Sequence, residues 1–156
     1  MSSSQGAELA LLLLGGFHAM VDEVIDALGR RGHPGVRPVH EFALRAIDDG
    51  ADTASELGRR LAVTKQAAAK TIAALERLGY VEREDDPADA RRKRLVVTEH
   101  GRDMSTVGRA LFDEVRARWA AEIGAEQLDV VQASLARLVA PRAFRAEDVT
   151  RPGGAG

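Results

Sequence analysis

The residues best suited to chemistry lie between 57 and 94. That stretch carries ten Lys and Arg against six Asp and Glu, a local charge of +4 in a chain whose net charge is −2. Cations concentrated in one third of a mildly acidic molecule make a local anion-binding surface, not a generally basic coat. The densest part is "DDPADARRKRLVVTEHG", from Asp85 to Gly101. Asp85, Asp86 and Asp89 sit around Pro87, and Arg91, Arg92, Lys93 and Arg94 follow at once. Carboxylates on such a tip can hold an Arg by charge-assisted hydrogen bonds and aim a neighbouring cation outwards, lowering the entropy lost on binding. An Arg aimed in this way suits the minor groove of a duplex, where the potential is most negative when the groove is narrow.

Other chemistries find little support. The chain has no cysteine, so disulfides, thiolate metal sites and a thiol switch within it are excluded. His18, His33, His40 and His100 have no short metal-ligand spacing. There is no nucleophile motif, no phosphate-cradling glycine loop and no helical His-Glu-x-x-His. No catalytic residue, metal or cofactor is expected, and the chain is read as a non-enzyme. No targeting signal stands out. The run "LALLLL" near the start is too short to span a bilayer and has no basic flank. No membrane association is expected, and a cytoplasmic location is.

The elements that must position the cations follow from periodicity and capping. At 156 residues the chain fits one domain, or a small domain with an oligomerisation element. Leu9, Leu13, Phe17, Met20, Val24 and Leu28 form one helical stripe from Ala7 to about Leu28, and Leu14, Val21 and Ile25 form a second. A helix with two apolar faces wants two partners, its own domain and another subunit. Gly15 and Gly16 weaken it and permit close helix approach. Pro38 starts a second helix that runs to Asp49. "TASE", residues 53 to 56, is a capping box for a short third helix. Thr64 caps a fourth that Gly79 ends. "YVERE" and "RLVVT" are strands of a hairpin whose turn is the charged tip. Thr98 caps a long helix carrying Met104, Val107, Leu111, Val115 and Trp119, and Gly124 breaks it. Leu128, Val131, Leu135 and Leu138 mark a last helix, stopped by Pro141. Residues 1–6 and 142–156 are expected to be flexible.

Two short helices joined by a tight turn and followed by a two-stranded hairpin give the order of a winged helix-turn-helix. Leu57, Leu61, Val63, Ala68, Ile72, Leu75 and Val81 are spaced to share a small core. The opposite face of the fourth helix presents Lys65, Gln66, Ala69, Lys70 and Ala73. Short side chains let a helix sink into the major groove, and Lys or Gln in its first turn reaches bases or phosphates. Across residues 59–77 the exposed face carries Arg59, Arg60, Lys65, Lys70 and Arg77 against one acid, Glu76. The same surface also fits a winged-helix module that docks an acidic protein without binding DNA.

The segment "ASELGRRLAVTKQAAAKTIAALERLGYVERE" and the tip after it resemble the MarR family of bacterial transcriptional regulators. The tip is similar to that family's wing signature at Asp86, Pro87, Asp89, Arg91, Thr98 and Gly101. The likeness covers roughly residues 7 to 140. Ala90, Val97 and Ala69 depart from the pattern. The resemblance implies a mainly α (α+β) fold, with residues 37–101 as the DNA-binding domain. Residues 7–36 and 102–140 would be a helical dimerisation region. It implies a homodimeric repressor that grips a pseudo-palindromic duplex through Thr64, Lys65, Gln66, Ala69, Lys70, Asp89, Arg91, Arg92 and Lys93. Release would follow when a small aromatic or anionic effector enters between the two regions. Phe17, Met20, His40 and Trp119 are the candidates for lining that crevice. Arg37 and His40, three apart at a helix start, are a candidate anion hold.

Overall fold

The computed structural model describes residues 4–139. Within them the chain runs α1 (Gln5–Arg30), α2 (Pro38–Asp48), α3 (Ala54–Leu61), α4 (Lys65–Arg77), β1 (Val81–Asp86), β2 (Asp89–Val97), α5 (Glu99–Ile123) and α6 (Ala125–Val139). The element order is the expected one. α1 begins earlier than the apolar stripe suggests, because the Ser4 hydroxyl accepts the Ala7 amide and carries the helix back to Gln5. Gln5 and Gly6 are therefore helical, not a flexible start. The proline stop at 141 and the tail from Arg142 lie outside the described residues.

The helix-turn-helix forms for local reasons. Thr53 and Thr64 each accept the amide three residues on, at Glu56 (3.2 Å) and Ala67 (3.0 Å). Each thereby satisfies one of the orphan donors at a helix start. Glu56 does not complete the capping box; its carboxylate binds Arg59 at 2.5 Å and Arg60 at 3.3 Å. Ala62 ends α3 in the left-handed region, φ 55°. The turn also closes because Gly58 has no side chain: a Cβ there would lie 3.0 Å from the Val63 carbonyl oxygen.

Leu57, Leu61, Ala68, Ile72, Leu75 and Val81 are buried in one core, with Val63 packed against it. That core continues into Leu95 and Val97 of the wing, Ala43, Leu44 and Ile47 of α2, and Met104, Leu111 and Val115 of α5. β1 and β2 pair antiparallel from Val81–Val97 to Asp85–Lys93. They reach further into the tip than the apolar residues alone imply, because backbone pairing continues through the charged residues. Gly101 lets α5 start against the wing base, since a Cβ there would fall 2.3 Å from the Tyr80 carbonyl oxygen. Buried His33 ties the loop after α1 to both elements. Its Nδ1 lies 3.0 Å from the Tyr80 hydroxyl and its Nε2 2.7 Å from Asp103.

α1 is divided along its length. Val21, Val24 and Leu28 are buried, whereas Leu9, Leu11, Leu12, Leu13 and Leu14 are all exposed. Ile123, Val130, Val131, Leu138 and Val139 are exposed at the other end of the chain. Gly16 leaves room for the Trp119 ring, 3.7 Å from where its Cβ would be, while Gly15 meets nothing within 4 Å.

Candidate nucleic-acid interface

α4 buries Ala68, Ile72 and Leu75. The same helical geometry turns Lys65, Gln66, Ala69, Lys70 and Ala73 outward, and all five are exposed, with Thr64 exposed at the cap. Lys65 and Lys70 have no ion pair among the described residues. Arg59 and Arg60 are instead neutralised by Glu56, and Glu76 turns to Arg83 of β1 at 3.3 Å. Among the described residues the unpaired charge of the exposed face is therefore Lys65 and Lys70 on the first two turns of α4, beside the positive end of the helix dipole, and Arg77 in its last turn.

The wing distributes its charges differently from the sequence expectation. No carboxylate of the turn holds an Arg. Asp86 accepts the Ala88 amide at 2.9 Å and Asp89 accepts the Arg91 amide at 3.0 Å, so both shape the turn itself. Asp85 pairs with Lys93, directly across the ladder. Glu84 binds Arg94 through two nitrogens, at 2.7 and 3.1 Å. Arg92 reaches back to Asp52 in the loop between α2 and α3, at 2.8 Å. Arg91 is exposed and is the one cation of the four without an ion pair among the described residues. Turn carboxylates prefer nearby amides because those donors are already fixed in place, whereas an Arg must lose side-chain freedom to reach them.

The four expected crevice residues do not converge. Phe17 and Met20 line a cavity of about 240 Å³ between α1, α2 and α5. His40 lies elsewhere, in a groove of about 400 Å³ between α2 and α4 that Thr64 and Lys70 also line. Trp119 lies against α1 near Gly16 and lines neither space. Nor do Arg37 and His40 form an anion hold through two side chains. His40 is buried and its Nδ1 accepts the Arg37 amide at 3.0 Å. Burial, with Arg37 and Arg77 nearby, lowers its pKa to about 4, so the ring is neutral near pH 7.

The cavity holds polar residues that the sequence reading missed, Glu41, Arg45 and Arg109. Burial raises the Glu41 carboxyl above its ordinary range, opposed by Arg45 and Arg109, and its Oε2 is buried without a hydrogen-bond partner. A signal was present: Pro38, Glu41, Phe42 and Arg45 recur at three- and four-residue steps, and all four line the cavity.

A helix-turn-helix whose second helix shows a short, cationic face, with a β-hairpin immediately after it, defines a winged-helix protein. Residues 35–92 match the sequence model of the MarR family. No curated protein matches the sequence. Solved structures of the same fold include Streptococcus pneumoniae FabT in complex with DNA. It is 20% identical with a TM-score of 0.70, over 87% of this chain and 96% of that one. A MarR-family transcriptional regulator from Rhodococcus sp. RHA1 is 20% identical with a TM-score of 0.65, over 90% and 100%. An S. aureus MepR–DNA complex is 17% identical with a TM-score of 0.63, over 86% and 98%. The fold is thus the MarR-family winged helix, mainly α with a two-stranded sheet. No helix of the described residues is long and apolar enough to cross a membrane.

Proposed function

We propose that this protein is a homodimeric, sequence-specific DNA-binding transcriptional regulator of the cytoplasm, acting as a repressor and not as an enzyme. The observation that carries the reading is the selective exposure of cations. Among the described residues Lys65, Lys70 and Arg77 on α4 and Arg91 on the wing stand without ion pairs, while Arg59, Arg60, Arg92, Lys93 and Arg94 are neutralised. Residues 37–101 form the DNA-binding domain. Residues 7–36 and 102–140 form the dimerisation region, supported by exposed leucines along the first half of α1 and by exposed Val130, Val131, Leu138 and Val139 on α6. Apolar patches of that extent mark interaction surfaces. Two copies related by a twofold axis would read a pseudo-palindrome with half-sites about one helical turn apart. The cavity lined by Phe17 and Met20 would receive a small, largely apolar effector with an anionic group for Arg45 or Arg109, and its entry would release DNA.

The decisive experiment selects DNA fragments with the purified protein and measures their affinity by fluorescence anisotropy across a salt series. Specific binding is expected, with the log–log salt slope lowered by about 0.9 in Arg91→Ala. An absence of binding at low salt would instead favour a module for acidic protein partners.

A further inference from the structure

Among the described residues β2 is tied to the helical body by two hydrogen bonds outside its own ladder, and both end on Asp52. The Leu95 amide donates to the Asp52 carbonyl oxygen at 3.3 Å. Arg92 donates to the Asp52 carboxylate at 2.8 Å. Asp52 is itself firmly held. Its amide donates to the Gly50 carbonyl at 2.9 Å, the buried Ala51 before it donates to Ala46 at 2.9 Å, and Thr53 after it caps α3. The residue that fixes the wing therefore adjoins the start of the helix-turn-helix.

The ladder cannot fix Arg92 in its place. Lys93 lies opposite Asp85 and Asp89 opposite Asp86, with a register shift between them, so residues 90–92 have no opposite partner on β1. A bulge of this kind bends the strand and re-aims its side chains. Arg91 and Arg92 both lie in the irregular stretch, and only Arg92 is anchored.

We propose that Asp52 is a positioning residue for DNA recognition, latching the wing through Arg92 and Leu95 so that Arg92 acts as a strut and Arg91 is the cation presented to the duplex. The proposal rests on the DNA-binding reading above. Its rival is that Asp52 only neutralises Arg92 until a phosphate displaces it. The two differ in sign. Removing a carboxylate near a DNA surface ordinarily tightens binding, by relieving repulsion and freeing the Arg. Removing half of a latch weakens it, because the wing must then be ordered on binding.

The test uses the full chain as Asp52→Asn, Arg92→Ala, the double variant, and the charge exchange Asp52→Arg with Arg92→Asp. Amide hydrogen exchange at Leu95 is measured on free protein, and affinity and salt slope on the DNA fragment selected by wild type. Both single variants should exchange faster at Leu95 and bind roughly three- to tenfold more weakly, the scale of a coupled pair. The double variant should be no weaker than the worse single one, and the charge exchange should recover binding. The salt slope should stay at the wild-type value in Arg92→Ala while falling in Arg91→Ala. Tighter or unchanged binding in Asp52→Asn, additive losses, or unchanged Leu95 exchange would each overturn the latch. A wild type that binds no DNA would overturn the DNA-binding reading and the latch's part in recognition. The exchange data would then still decide whether Asp52 holds the wing.

Discussion

α4 and the wing both present cations, and they hold them in place by different physics. α4 is oriented by its far side: Ala68, Ile72 and Leu75 are sunk in the core, so Lys65 and Lys70 need no partner to be aimed. Apart from Val81, Leu95 and Val97 at its base the wing has no buried side chain, and from Asp85 to Lys93 its residues are exposed or half-buried. It is shaped instead by Asx-type turns, cross-strand ion pairs and the contact with Asp52. Apolar burial is strong and indifferent to salt; exposed ion pairs are weak and screened. In the proposed DNA complex the helix would be the rigid reader and the wing the adjustable one.

The contrast can be broken most severely at the core. Leu75→Ala, at a fully buried position on α4, should destabilise the protein by about 2–5 kcal/mol, seen as a lower urea midpoint at unchanged slope. A similar midpoint for Leu75→Ala and wild type would mean that burial does not hold α4.

Acid should act next, on the helix side. His40 lines the groove under α4 and has a pKa of about 4 in the fold against 6.5 in the unfolded chain. Between those values the unfolded chain takes up a proton that the folded chain refuses. Stability should therefore fall as pH drops from 6.5 towards 4, by about 2 kcal/mol from this residue. His40→Gln keeps an acceptor for the Arg37 amide and should flatten that acid limb relative to wild type in thermal melts at pH 7 and pH 4.5.

Thr64→Ala should cost about 1 kcal/mol by removing the cap on Ala67, and should fray α4 where Lys65 and Gln66 are displayed. Exchange at the Ala67 amide reports it directly. The smallest effect belongs to Asp85→Ala. The loss of the Lys93 pair should leave the unfolding midpoint unmoved while exchange quickens at the tip of the hairpin. A clear drop in the midpoint would mean that the wing is part of the cooperative core after all.

Periodicity, caps and turn residues made the helices, the hairpin and the outward face of α4 legible, because those features depend on neighbours three or four positions apart. Lys65, Gln66, Ala69 and Lys70 fell outward as their spacing requires. The wing cations were legible as a group and not as individuals: Arg91 and Arg92 are adjacent and identical, yet one is free and the other bound. Asp52, 40 residues earlier, makes that difference. The crevice residues were read least well. Phe17 and Met20 share a cavity, but His40 faces the other side of α2, and Trp119 went to helix packing.

By itself the sequence determined the order of the helices, most of their starts and stops, and which third of the chain concentrates positive charge. Those properties are set by short-range geometry and by composition. Only the tertiary structure decided which cations remain available, which carboxylate meets which partner, and that Glu41 keeps a buried oxygen unpaired beside the cavity. Those outcomes depend on segments far apart in the chain being brought within 3 Å or so of each other, at the distance where hydrogen bonds and charge pairs form. No spacing along the chain encodes that encounter.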